Sequence, residues 1–411
     1  MTAPAAPSRP GRAACTCCPD FRWRRRHRRT YLYLSAIMSI LHVFNPSHDE
    51  ALAAGSPYYY PARIARALAR DLAALPAAWA GAGDFVLLPD DLPAPAMDGG
   101  VFVHEGELTA AFWDTVDAID PWGWDALLRR RLAALGAPQR LLPDDAALDA
   151  VRRLSSRRTA TRLLPLLRAA IPGTVGESYW CTTSEEVWRR VEQCGEAVVK
   201  APWSGSGRGV FRVSAADAAG PGGSRCGRVS RILREQGAVE VEPLYRREAD
   251  LAMEFRILSG GRAVYEGLSL FATTPSGGYA GNLVVDEAGL YGRLPDEVLP
   301  ALMAVRAALP GLLSRVIGDG YTGLLGVDMM LVRHADATLR LHPCVEINLR
   351  RTMGAVALSL RRRLSAAMPC ALYALRPVAT IGAEAVVLTP GAREMAATLT
   401  ADFDDMPYNK C

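Results

Sequence analysis

Ala197-Val198-Val199-Lys200-Ala201-Pro202-Trp203-Ser204-Gly205-Ser206-Gly207-Arg208-Gly209-Val210 is the stretch on which the reading of this chain turns. An apolar run ends on a lysine, crosses three glycines within residues 205–209, and becomes apolar again at Val210 to Val213. Two short strands joined by a glycine-rich hairpin loop give this pattern. The lysine is rare, because of 47 basic residues only Lys200 and Lys410 are lysines and every other cation is arginine. A compact ammonium on a flexible stem fits between phosphate oxygens where a planar guanidinium fits less well, and glycines admit backbone N–H groups close to a phosphate. The alternative is an ordinary surface lysine ahead of a flexible turn.

A second constellation lies downstream. Gly326-Val327-Asp328-Met329-Met330-Leu331-Val332 is followed by a short polar turn and then by Leu341 to Asn348, with Glu346 and Asn348 two residues apart. Strand alternation puts such a pair on one face, and a neighbouring antiparallel strand brings Asp328 beside them. Two carboxylates and an amide oxygen are hard ligands of the kind magnesium takes when it also binds phosphates. Arg350, two residues further on, adds a cation. The competing explanation is a salt-bridged sheet face on which Arg350 and Arg351 neutralise the acids.

Around these motifs the chain has the length and composition of two or three domains: 411 residues, 50% apolar. Its nine cysteines are odd in number and scattered, without zinc or disulfide spacing, which fits a reducing cytoplasm. The net charge of +4 misleads, since residues 1–37 carry eight Arg against one Asp (+7), leaving −3 for the remainder. Charge therefore does not suggest nucleic-acid binding by the body of the protein. Residues 1–37 mimic a signal peptide only superficially and are expected to be a disordered or misassigned extension, the other reading being a targeting or RNA-binding arm.

From Met38 on, no stretch reads as long enough and apolar enough to span a membrane. Ile40 to Phe44, Phe85 to Leu88 and Val101 to Val103 read as strands. Ile64, Leu68 and Leu72 read as the apolar stripe of an amphipathic helix, and 125–135 as another helix. Alternating strands and helices imply a small α/β domain over 38–150. Thr183 to Glu186 is a helix start; strands follow at 239–242, 251–257, 263–270, 326–332 and 339–347.

In order, these elements resemble the ATP-grasp superfamily over Leu154 to Gly354, with a looser fit of Met38 to Ala150 to the domain that precedes it. Arg157 or Arg158 stands where the family has a basic residue on a helix. Lys200, Ser204, Gly205, Ser206, Gly207 and Gly209 match its lysine and phosphate loop. Glu242 and Leu244 match its adenine contacts, Asp250 its ribose acid, and Asp328, Glu346 and Asn348 its metal ligands. Glu-Ile-Asn-Leu-Arg resembles the biotin carboxylase pattern, in which the arginine, here Arg350, sits near the acyl phosphate.

The resemblance implies an α/β fold of α+β ATP-grasp type, in which an N-terminal α/β domain (38–150) precedes two α+β subdomains (151–243 and 244–411) that clasp ATP between them. It implies ATP and Mg2+ as cofactors, with Mn2+ as an alternative ion, and a ligase that joins a small-molecule carboxylate to an amine or other nucleophile through an acyl phosphate. A homodimer is compatible with it; no nucleic acid or membrane partner is implied. A small-molecule kinase on the same fold and an inactive nucleotide-binding regulator are the alternatives.

On the substrate side the candidates are His48, Asp49, Arg256 and Asn282, the last within a polar segment from Ser269. Asn45 and Asp49 are equally candidates for turn and capping roles, and Arg256 for a structural salt bridge. Tyr58, Tyr59 and Tyr60 are expected to pack between domains, and Trp113, Trp122 and Trp124 in the core.

Overall fold

The computed structural model describes residues 39–95, 99–204, 209–217, 224–274, 278–364 and 368–401. Expectations for 1–37, Gly205 to Gly207, Ser276, Gly277 and Lys410 lie outside the described residues.

Short apolar runs buried on both faces make a parallel sheet. Its strands β1 (Ile40–Val43), β2 (Phe85–Leu88), β3 (Val101–His104) and β4 (Ala118–Pro121) lie in the order β3-β2-β1-β4. A second, antiparallel sheet holds β5 (Tyr179–Cys181), β6 (Glu196–Lys200), β7 (Val210–Ser214) and β8 (Val239–Pro243) in the order β5-β8-β6-β7. β6 and β7 are the expected hairpin, with Lys200 opposite Val210.

The third sheet is the largest. β9 (Arg247–Ile257), β10 (Ala263–Thr273), β11 (Tyr279–Val284), β12 (Gly323–Arg333), β13 (Leu339–Asn348), β14 (Ala371–Pro377), β15 (Val386–Val387) and β16 (Met395–Thr400) run antiparallel in the order β13-β12-β9-β10-β11-β14-β16-β15. Leu251, Met253 and Phe255 of β9 and Leu325, Val327 and Met329 of β12 turn to one side. There they pack on Leu163, Leu164 and Leu167 of helix Arg158–Ala170 and on Leu302, Val305, Leu309 and Leu313 of helix Leu299–Ile317.

Three expectations are corrected. Helix Arg63–Asp71 forms and two members of its expected stripe face inward, Leu72 fully buried and Leu68 packed against the core, but Ile64 is 64% exposed while Ala65 and Asp71 are buried. Asp71 accepts hydrogen bonds from the backbone N–H groups of Arg393, Glu394 and Met395 (2.9, 2.7 and 3.0 Å), a polar anchor beside the buried end of the stripe. Tyr58 and Tyr60 are exposed, each with an arginine over its ring (Arg130 and Arg66, both 4.5 Å from the centroid), instead of packing between domains. Finally, helix Leu299–Ile317 lies in a segment long and apolar enough by composition to cross a bilayer; its Leu302, Val305, Leu309, Leu313 and Ile317 stripe is buried in the core. Trp113 and Trp122 are core residues, as expected.

Candidate functional site

Strand register assembles the site. Across β12 and β13, Asp328 faces Glu346 and Gly326 faces Asn348. Across β12 and β9, Asp328 faces Ala252 and Gly326 faces Glu254. Across β9 and β10, Ala252 faces Ser269 and Asp250 faces Phe271, which in turn faces Asn282 of β11. Paired residues share a sheet face. Asp250, Glu254, Ser269, Asn282, Asp328, Glu346 and Asn348 therefore all project to the side opposite the apolar core. A cleft of about 300 Å³ opens over most of this face.

At one end are the acids. Asn348 Nδ2 donates to Asp328 Oδ2 (3.0 Å), and Arg350 donates to Asn348 Oδ1 (2.9 Å). Burial first, and then the like charge of Glu346, push the Asp328 carboxyl up to about 7. Among the described residues no group of three His, Cys, Asp or Glu side chains gathers as a metal cage. Two carboxylates and one amide do gather, and the first is raised by the second. That donor set fits a hard divalent cation completed by phosphate and water, provided Asn348 turns its oxygen away from Arg350.

Cations approach from the other side. Arg157, at the head of helix Arg158–Ala170, pairs with Glu346 (2.9 Å) and donates to Ala201 O (3.1 Å) and Ser204 Oγ (3.4 Å), tying the hairpin to the acidic strand. Arg158 points outward, 6.0 Å from the Trp180 ring centroid, so of the two candidate arginines only Arg157 enters the site. Lys200 is buried with its ammonium 2.5 Å from Glu242 and 3.7 Å from Glu240. Burial would lower the lysine's pKa, but the two glutamates outweigh it and keep the ammonium charged. Gly209 approaches closely: a Cβ there would lie 2.4 Å from Ser204 Cβ.

The remaining expected residues are distributed unevenly. The Leu244 N–H donates to Glu196 O (3.0 Å) beside Lys200's sheet. Asp250 takes Thr273 Oγ1 (2.8 Å) and Arg247 (3.2 Å), and burial raises its carboxyl. Asp49 is in the first turn of helix His48–Ala54 and is grasped by Arg350 through two hydrogen bonds (3.0 and 2.9 Å). Burial alone would raise it; Arg350 holds it below the ordinary carboxylate value. His48 is buried against Asp125 (3.3 Å), where Gly123 leaves room for its ring. Arg256 does not line the cleft and pairs with Glu266 at 2.9 Å.

Ser269 and Asn282 lie within β10 and β11 rather than in a loop. Glu254, a cleft residue absent from the sequence reading, is 1% exposed and raised to about 8, chiefly by burial, against a hydrogen bond with Thr352. Its signal was available: one acid inside the apolar run Leu251 to Ile257, in phase with Asp250.

No family model and no curated protein sequence matches the chain. Solved structures share its outline. N5-carboxyaminoimidazole synthetase from Staphylococcus aureus, complexed with ADP, is 12% identical over 88% of this chain and 92% of its own, with a TM-score of 0.48. A biotin carboxylase–beta-gamma-ATP complex from Campylobacter jejuni is 13% identical over 89% and 87%, also at 0.48. A D-cycloserine synthetase is 16% identical over 80% and 100%, at 0.40. TM-scores below 0.5 decide nothing about the chemistry, which rests on the geometry above.

Proposed function

We propose that this chain is an ATP-grasp enzyme, a magnesium-assisted ligase that activates a carboxylate with ATP as its acyl phosphate and passes the acyl group to an amine or similar nucleophile. One observation carries the reading: Arg157, tied by hydrogen bonds to the hairpin that carries Lys200, meets Asp328, Glu346, Asn348 and Arg350 across a single cleft, although these residues are spread over 193 sequence positions from 157 to 350.

In this reading Lys200 and Arg157 give up their internal carboxylates for the phosphates of ATP, beside Ser204 and Gly209 at the two ends of the glycine-rich stretch. Glu242 and Leu244 hold the adenine and Asp250 the ribose. Asp328, Glu346 and Asn348 would hold Mg2+, which would supply charge neutralisation to the phosphates. A substrate carboxylate oxygen attacks the γ-phosphorus and ADP leaves; the nucleophile then attacks the acyl carbon and phosphate leaves. Arg350, oriented by Asp49, faces the oxygen on which negative charge develops. The work is positioning and charge neutralisation, so few general bases are needed.

The test is to incubate the protein with Mg-ATP, pooled carboxylates and hydroxylamine. ADP, free phosphate and a hydroxamate are expected. A phosphorylated metabolite without released phosphate would instead make the chain a kinase, and the absence of nucleotide binding would remove the reading altogether.

A further inference from the structure

Past Asp328 the cleft continues along β9 to β11 into a half that nucleotide and metal leave unassigned. Its floor is Glu254 and Ser269, and apolar side chains including Phe44, Trp122, Phe271 and Met353 wall it. Glu254 is 1% exposed, and its Oε2 has no hydrogen-bond partner among the described residues. Neither does any arginine, lysine or histidine among them come within salt-bridge distance of it. Two glycines make room for this carboxyl: a Cβ on Gly354 would stand 2.2 Å from its Oε1, and one on Gly326 2.9 Å from its Oε2.

The neighbouring polar groups are already committed. Asn282 donates to Ser269 Oγ (2.7 Å) and to Leu270 O (3.3 Å), and its Oδ1 accepts from Tyr279 (2.7 Å). Asn282 is thus spent in holding Ser269. The serine oxygen accepts that bond with one lone pair and keeps the other to accept from a cation. A buried carboxyl without a cation costs stability that a polar side chain elsewhere would not. Placed on the floor of an open cleft, it is set to receive its cation from a ligand.

Building on the ligase reading, we propose that Glu254 anchors the amino group of the acceptor substrate, a small primary amine with a compact apolar body. The ammonium sits over Glu254 and Ser269, and the apolar body lies against Phe44, Trp122, Phe271 and Met353. Entry of the ammonium displaces Glu254's own proton to solvent, and the resulting carboxylate takes one proton from the ammonium, freeing the nitrogen lone pair. That lone pair attacks the acyl-phosphate carbon, the C–N bond forms, the C–O bond to phosphate breaks, and the second nitrogen proton leaves with the phosphate. A cavity of about 300 Å³ limits the amine to a small one, since the γ-phosphoryl end of the nucleotide shares the space.

The test uses the full chain saturated with Mg2+ and a non-hydrolysable ATP analogue, titrated calorimetrically with propylammonium and, separately, with neutral propanol. Propylammonium should bind, and Glu254→Gln should weaken it about tenfold or more, as the loss of a charge-assisted contact requires. Propanol and nucleotide affinities should remain within about twofold, the scatter expected of an isosteric change away from both. Equal propylammonium affinity in wild type and variant, or none in wild type while the nucleotide analogue binds, overturns the assignment. Should Glu254→Gln not fold, Ser269→Ala carries the test: it must weaken propylammonium and spare propanol, and equal weakening of both overturns the assignment. Loss of nucleotide-analogue binding in the wild type would refute the ligase reading instead, and that is read independently of Glu254.

Discussion

The two faces of the large sheet are made by the same strands and obey different rules. On one side Leu251, Met253, Phe255, Val327 and Met329 are at most 1% exposed and pack on two helices. On the other, the alternate positions Asp250, Glu254 and Asp328 carry acids that burial pushes upward. The first face would serve any protein of this architecture. The second keeps costs that packing alone would remove, and such costs mark where binding is done.

The sharpest way to break the comparison is Glu346→Gln, which should cut turnover about a thousandfold while leaving the melting curve near that of the wild type. A comparable loss of stability would make the acid face structural. Phe255→Ala on the apolar face should do the reverse, costing about 3–5 kcal/mol of folding free energy in a denaturant titration with activity per folded molecule preserved. Lys200→Ala should weaken the binding of an ATP analogue about 10–100-fold, measured by calorimetry.

The smallest effect concerns pH. Asp328 keeps its proton up to about 7 in the fold, whereas an unfolded aspartate loses it near ~4. Its contribution is therefore complete below about pH 4 and is lost as pH rises to 7. Asp328→Asn should raise the melting temperature at pH 8 by about 2–4 °C and leave it unchanged at pH 4. The gain stays modest because Asp328 borders the cleft and keeps some contact with solvent.

Sequence period 2 was enough to place Asp328, Glu346 and Asn348 on one face, and the apolar run into Lys200 was enough to place the hairpin. What periodicity does not contain is the partner. Arg350 meets Asp49 across 301 positions, and Arg157, not its neighbour Arg158, reaches Glu346. Those choices depend on how helices and sheets dock, which no local window encodes. The same limit touches Ile64: Leu68 and Leu72 of its stripe pack inward, but Ile64 is exposed and Asp71 is anchored to the backbone at Arg393 to Met395, a partner no local window contains. Glu254 was overlooked because a single acid in an apolar strand looks locally like an interruption, and only the register with Gly326 and Ser269 gives it a place.

The segment just after the acidic strand is stitched to the first sheet. Arg350 holds Asp49, Arg351 holds Asp120 (2.7 Å), and the Arg351 N–H donates to Trp122 O (2.8 Å). Three sheets that look like interchangeable modules are thus not interchangeable at this seam. A recombined descendant that swapped its first sheet would have to import acids matching Arg350 and Arg351, or leave both arginines without their partners, so inheritance of this corner of the cleft is tied to inheritance of the first sheet.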